Sequence, residues 1–121
     1  MKIKILETEL YLLNIQSRME FKFGMAQASE MNHVFVRLLL EADGKKTWGI
    51  SAENLAPKWF TKDPNRPVEK EIEEMIGVIK QALLLATGMH VASLFEIWHE
   101  HYRLQKDWGK TKKYPSHLSG F

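Results

Sequence analysis

A chain of 121 residues, 45% apolar and 26% charged, has the size and composition of one globular domain with a modest core. Its net charge of +2 argues neither for nor against a nucleic-acid partner, none being expected, and the absence of cysteine removes disulfides, thiolate zinc sites and cysteine nucleophiles together. No apolar run nears the ~20 residues of a membrane helix, and Met1-Lys2-Ile3-Lys4 opens no signal peptide, so a cytoplasmic protein without a membrane partner is expected.

Lys2 to Ile15 is rich in Ile, Leu and Tyr and free of Gly and Pro, which predicts a long first strand. Ile3 and Ile5 have one parity, Leu10 and Leu12 the other. A bulge near Leu6 or Glu7 reconciles them, because one extra residue flips the pleat. His33 to Glu41 alternates cleanly, with Val34, Val36, Leu38 and Leu40 on a buried face and Phe35, Arg37, Leu39 and Glu41 on a mixed one. Asp43-Gly44 supplies the positive φ of a tight hairpin turn. Thr47 to Glu53 resumes the alternation, with Trp48, Ile50 and Ala52 expected to face inward.

Pro64 and Pro67 bracket a turn. Val68 to Thr87 then has helical spacing, with Ile72, Met75, Ile76, Ile79 and Leu83 on one stripe. Glutamates crowd its first turns, where the helix dipole favours them, and Gly88 is a natural stop. Ser93-Leu94-Phe95-Glu96 fits a capping box. The helix it opens is expected to run to about Asp107, with Leu94, Phe95, Trp98, Tyr102 and Gln105 along one stripe.

In a meander of three strands, the first and third end at the same edge of the sheet. Both ends lead into long connections, Gln16 to Asn32 and Asn54 to Arg66, where compact domains usually spend ~4–6 residues. Met19, Phe21, Phe23, Met25 and Met31 in the first, and Leu55, Pro57, Trp59 and Phe60 in the second, are apolar for loops. Such segments cover a site or are themselves covered.

In this order the pieces resemble the amino-terminal capping domain of the enolase superfamily, in its mandelate racemase and muconate lactonizing enzyme branch. The resemblance rests on the long first strand, Glu20-Phe21-Lys22-Phe23-Gly24, Val34-Phe35-Val36-Arg37-Leu38, the Asp43-Gly44 turn, Trp48-Gly49 and the two helices. It covers Lys2 to about Asp107. Family members commonly carry Glu directly after the Trp-Gly pair, whereas this chain has Ile50 there and its nearest acid at Glu53.

The resemblance implies an α+β fold, a three-stranded antiparallel meander followed by a helical bundle. Residues 1–109 form the capping domain, and residues 110–121 lead toward a (β/α) barrel that the chain does not contain. It implies that Phe21, Phe23 and Met25 in one loop, and Asn54, Trp59 and Phe60 in the other, close over a small carboxylate substrate. No catalytic and no metal-binding residue is expected in this chain. The base and the Mg2+ that stabilises an enediolate belong to the absent barrel of the intact parent, a racemase, cycloisomerase or dehydratase. That barrel is the expected partner, and the resemblance leaves a homo-oligomer open.

The competing reading is a self-contained α+β module binding a protein or nucleic acid through the apolar loops or the basic Arg103–Lys113 stretch, which interleaves Trp108 and Tyr114. Glu96 and His99 stand at the i, i+3 spacing of half a di-metal motif, without a second copy. His101 sits at the rim of the helix stripe and is expected to be packed. His33 and His90 show no partner in the sequence.

Overall fold

The computed structural model describes residues 2–23, 26–115 and 118. The side chains of Phe21, Phe23 and residues 26–28 lie outside that description. In chain order the elements are β1 (Ile3–Phe23), β2 (Ala26–Ala42), β3 (Lys45–Leu55), a 3-10 turn (Pro57–Trp59), α1 (Val68–Ala86), β4 (His90–Val91) and α2 (Leu94–Thr111). They form an α+β domain with one antiparallel sheet in the order β3-β2-β1-β4.

The expected meander of three strands is therefore extended by a fourth. Gly88, at φ +86°, turns the chain back after α1, and its N–H donates to the Ile5 carbonyl while Ile5 N–H donates to Met89. His90 and Val91 then pair with Lys4 and Ile3. A two-residue strand carries no hydrophobic period, so nothing in the sequence announces it.

Local chemistry sets the hairpin register. Asp43 and Gly44 both have positive φ, 48° and 79°, as a type I′ turn requires. Ala42 pairs with Lys45, and the ladder runs without interruption to Asn32 and Leu55. The β1–β2 register shifts between Ile5 and Glu7, which is the bulge that the change of parity demands. Ile3, Ile5 and Leu10 consequently share the helix-facing side with Val34, Val36 and Leu38.

The same register corrects the expectation for β3. Trp48, Ile50 and Ala52 lie opposite Leu39, Arg37 and Phe35, so they stand on the outer, mixed face. Ile50 is 67% exposed, and the Arg37 guanidinium covers the Trp48 ring at 4.3 Å. Their hydrophobicity suggested the core, but a two-residue turn allows no slip, and directly opposed residues share a face.

Val34, Leu55, Met75, Val78 and Leu118 form the buried core, with Leu10, Ile72, Ile76, Ile79, Trp108 and Tyr114 packed around it. Met75 and Val78 are fully enclosed, whereas Ile76 is half-buried. An apolar cleft of about 230 Å³ separates the sheet from the helices between Ile5, Val36, Leu38, Leu83 and Ile97.

α2 begins at Ser93, whose hydroxyl accepts from Glu96 N–H at 3.2 Å, while the Glu96 carboxylate takes Ala92 N–H at 2.8 Å. Ser93→Ala is expected to cost about 1 kcal/mol, measurable as a lower urea midpoint at unchanged slope. The helix runs four residues past Asp107, to Thr111.

Of the expected stripe only Gln105 is buried. Ile97, His101, Leu104, Gln105 and Trp108 face inward, while Leu94, Phe95, Trp98 and Tyr102 are exposed. Two polar groups settle the rotation. Gln105 Nε2 donates to the Val78 carbonyl and His101 Nε2 meets that of Ala82, both at 2.7 Å. Most buried polar groups are hydrogen-bonded, and turning the aromatic stripe inward breaks both contacts.

Candidate functional site

The first of the two expected loops is a strand arm. β1 and β2 continue as a ladder beyond Ile15 and Met31, with Phe21, Lys22 and Phe23 pairing with Ala28, Gln27 and Ala26. Between Gln16 and Phe21 the register shifts again. There the Ser17 hydroxyl bonds the Met19 carbonyl within the bulged segment. The signal was present in the sequence: Met19, Phe21 and Phe23 alternate with Glu20 and Lys22, the period of a strand. Met25 lies outside the described residues.

The second expected loop begins later than its sequence suggests and is held down. Asn54 is still in β3, paired across the sheet with His33. Its side-chain oxygen hydrogen-bonds His33 Nδ1, and the His33 ring packs against Phe35 at 4.8 Å. This gives His33 a partner on a neighbouring strand. Beyond Leu55, the turn at Pro57–Trp59 places Trp59 and Phe60 on the surface, 62% and 45% exposed.

Two ion pairs pin this segment to α1. Lys58 Nζ lies 2.8 Å from the buried Glu71 carboxylate and donates to the carbonyls of Asp63 and Arg66 at 2.9 and 3.0 Å. Two of the three ammonium donors thus serve carbonyls, and the 2.8 Å contact with Glu71 completes the charge pair. Arg66 reaches both oxygens of Glu74, at 2.7 and 2.6 Å. A segment without helix or strand pattern thus becomes a fixed platform below Trp59 and Phe60. Sequence reasoning missed these four residues, because a Lys–Glu pair across a turn has no fixed spacing.

Both aromatic-bearing segments lie at the end of the sheet opposite Asp43-Gly44, the first as an extension of the β1–β2 ladder and the second as the chain that leaves β3. They do not meet there in one cluster. Asn14, Asn32 and Leu55 stand side by side, and the arm carries Phe21 and Phe23 on by roughly 25–30 Å of strand at ~3.4 Å per residue. Asn54 lies near the end of β3 on its outer face, and Trp59 and Phe60 follow in the clamped segment beside α1.

Among the described residues no three of His, Asp and Glu converge as a metal site. Glu96 is occupied by its cap, and His99 stacks on Phe95 at 5.9 Å. In the basic stretch, Trp108 and Tyr114 meet edge-to-face at 5.6 Å and pack on the core instead of projecting as stacking platforms. Arg103 pairs with Glu100, and its hydrogen bond holds the Glu100 carboxyl below its ordinary range while the guanidinium is raised. No helix is long and apolar enough to cross a membrane among the described residues.

Comparisons with protein-family models, curated proteins and solved structures find no match for this chain.

Proposed function

We propose that this chain is the substrate-capping domain of a magnesium-dependent isomerase or lyase of the enolase superfamily. In the intact parent a (β/α) barrel supplies the base and the metal ligands, and a small carboxylate substrate sits at the barrel mouth. The cap's part is to shape the pocket and keep water from the reacting carbon.

One observation carries the reading. The meander ends in two apolar segments on the side opposite its tight turn, and the second is clamped to α1 by Lys58–Glu71 and Arg66–Glu74. A lid that orients substrate needs rigid support, since small displacements of positioning groups cost large factors in rate. The clamp provides that support for Trp59 and Phe60. The exposed ladder of Phe95, Trp98 and Tyr102 on α2, with ring centroids 5.6 and 5.5 Å apart, offers apolar surface for the barrel to cover.

The coding sequence downstream of Phe121 tests this. Roughly 250 further residues with acidic side chains at the ends of barrel strands are expected. A stop codon at that point contradicts the reading. The isolated chain is expected to show no magnesium-dependent proton exchange at the α-carbon of any carboxylate. Exchange by this chain alone would place the chemistry here and overturn the division of labour.

A further inference from the structure

We propose that the open edge of β3 pairs antiparallel with the same edge of a second copy, joining two four-stranded sheets into one. β3 is the edge strand of the sheet, and among the described residues no strand lies on its outer side. Long edges are normally blunted by proline, a bulge, lysine or other charged side chains, or a covering segment; here the charges, Lys45, Lys46 and Glu53, stand only toward the two ends of the strand. These 11 residues contain no proline, and their register with β2 is unbroken.

The two-residue turn determines which backbone groups this edge presents. Ala42 and Lys45 close the hairpin as a hydrogen-bonded pair, so Lys45, Thr47, Gly49, Ser51 and Glu53 turn their N–H and C=O groups toward β2. Lys46, Trp48, Ile50, Ala52 and Asn54 turn theirs to the open edge. The Asn54 N–H bears this out, since its acceptor is the Glu53 side chain at 2.9 Å. The Glu53 carboxylate therefore already lies along that edge.

A two-fold axis normal to the sheet restricts the registers further. Directly opposed residues share a face, so the opposed positions must have the same parity in the sequence. Of the registers left, one alone sets opposite charges against each other, placing Lys45 across from Glu53 of the second copy, twice per dimer. The same register opposes Trp48 to Ile50 and Thr47 to Ser51. It forms about eight backbone hydrogen bonds. Trp48 and Ile50, exposed on the outer face of the monomer, become aromatic–β-branched cross-strand pairs, among the more favourable kinds. An interface of one strand edge is small, which suits a weak, reversible dimer. The pairing needs only this chain and does not rest on the capping role.

Sedimentation equilibrium and amide exchange on the 121-residue chain, over about a hundredfold range of concentration, test the proposal. A monomer–dimer equilibrium is expected, with the Lys46, Trp48, Ile50 and Ala52 amides gaining protection as concentration rises. Thr47, Gly49 and Ser51 should be protected throughout. Lys45→Glu or Glu53→Lys alone should weaken the dimer about tenfold, and the two together should restore it. Ile50→Pro should abolish it while keeping the monomer folded, because that nitrogen faces the open edge. A chain that stays monomeric overturns the proposal. So does a dimer that ignores both charge reversals, or one that protects other amides.

Discussion

Met75→Ala is expected to destabilise the domain by about 2–5 kcal/mol, the usual cost of emptying a fully buried methionine site. Met75 is 1% exposed and sits at the centre of the core with Val34, Leu55, Val78 and Leu118. Its removal leaves a void between α1 and the sheet that helix and strands can close only in part. Ile76, one residue on, is half-buried, and alanine there should cost clearly less. Leu84→Ala, on the exposed side of the same helix at 70% exposure, should stay within about 0.5 kcal/mol of the parent. Urea midpoints for the three variants give the ranking. Equal losses at Met75 and Leu84 would show that α1 is rotated from the orientation described.

Lys58→Met should cost about 3 kcal/mol, near the low end for breaking one side of a buried ion pair. Glu71 is left with its carboxylate enclosed and its cation gone, and the carbonyls of Asp63 and Arg66 lose their donor. The Lys58 side chain is 21% exposed, which keeps the loss from being larger. The double variant Lys58→Met/Glu71→Leu should recover most of the stability, because the main penalty is a stranded charge rather than a lost attraction. Amide exchange in the 57–66 segment should quicken in the single variant. A single variant as stable as the parent, with the segment still protected, would mean that Arg66–Glu74 alone holds the platform.

Features set by neighbouring residues were legible in the sequence. The Asp43-Gly44 turn, the Ser93/Glu96 cap, the start of α1 at Val68 and the bulge beside Leu6 each follow from chemistry within a few positions. The arm was legible too, in the alternation from Met19 to Phe23, but the length of the segment suggested a loop. Features set by register or tertiary contact were not legible. Trp48 and Ile50 look like core residues until the turn fixes their partners as Leu39 and Arg37. α2 carries two apolar stripes, and the hydrogen bonds from His101 and Gln105 to α1 decide between them. Of the six residues expected to cap the substrate, Asn54 ends on the outer face of β3, Trp59 and Phe60 follow it in the clamped segment, and Phe21 and Phe23 lie on the strand arm. Lys58, Arg66, Glu71 and Glu74, which steady that end, surface only in three dimensions.

If the parent is the enzyme proposed, steady-state kinetics of its Trp59→Ala variant beside a magnesium titration test the proposed capping role most directly. On the proposed reading a lid residue acts on substrate and water, while a barrel domain holds the metal. kcat/KM is expected to fall by about tenfold or more and substrate preference to shift, with the Kd for magnesium unchanged within about twofold. An unaltered kcat/KM, or a loss of magnesium affinity in step with activity, would contradict the capping role.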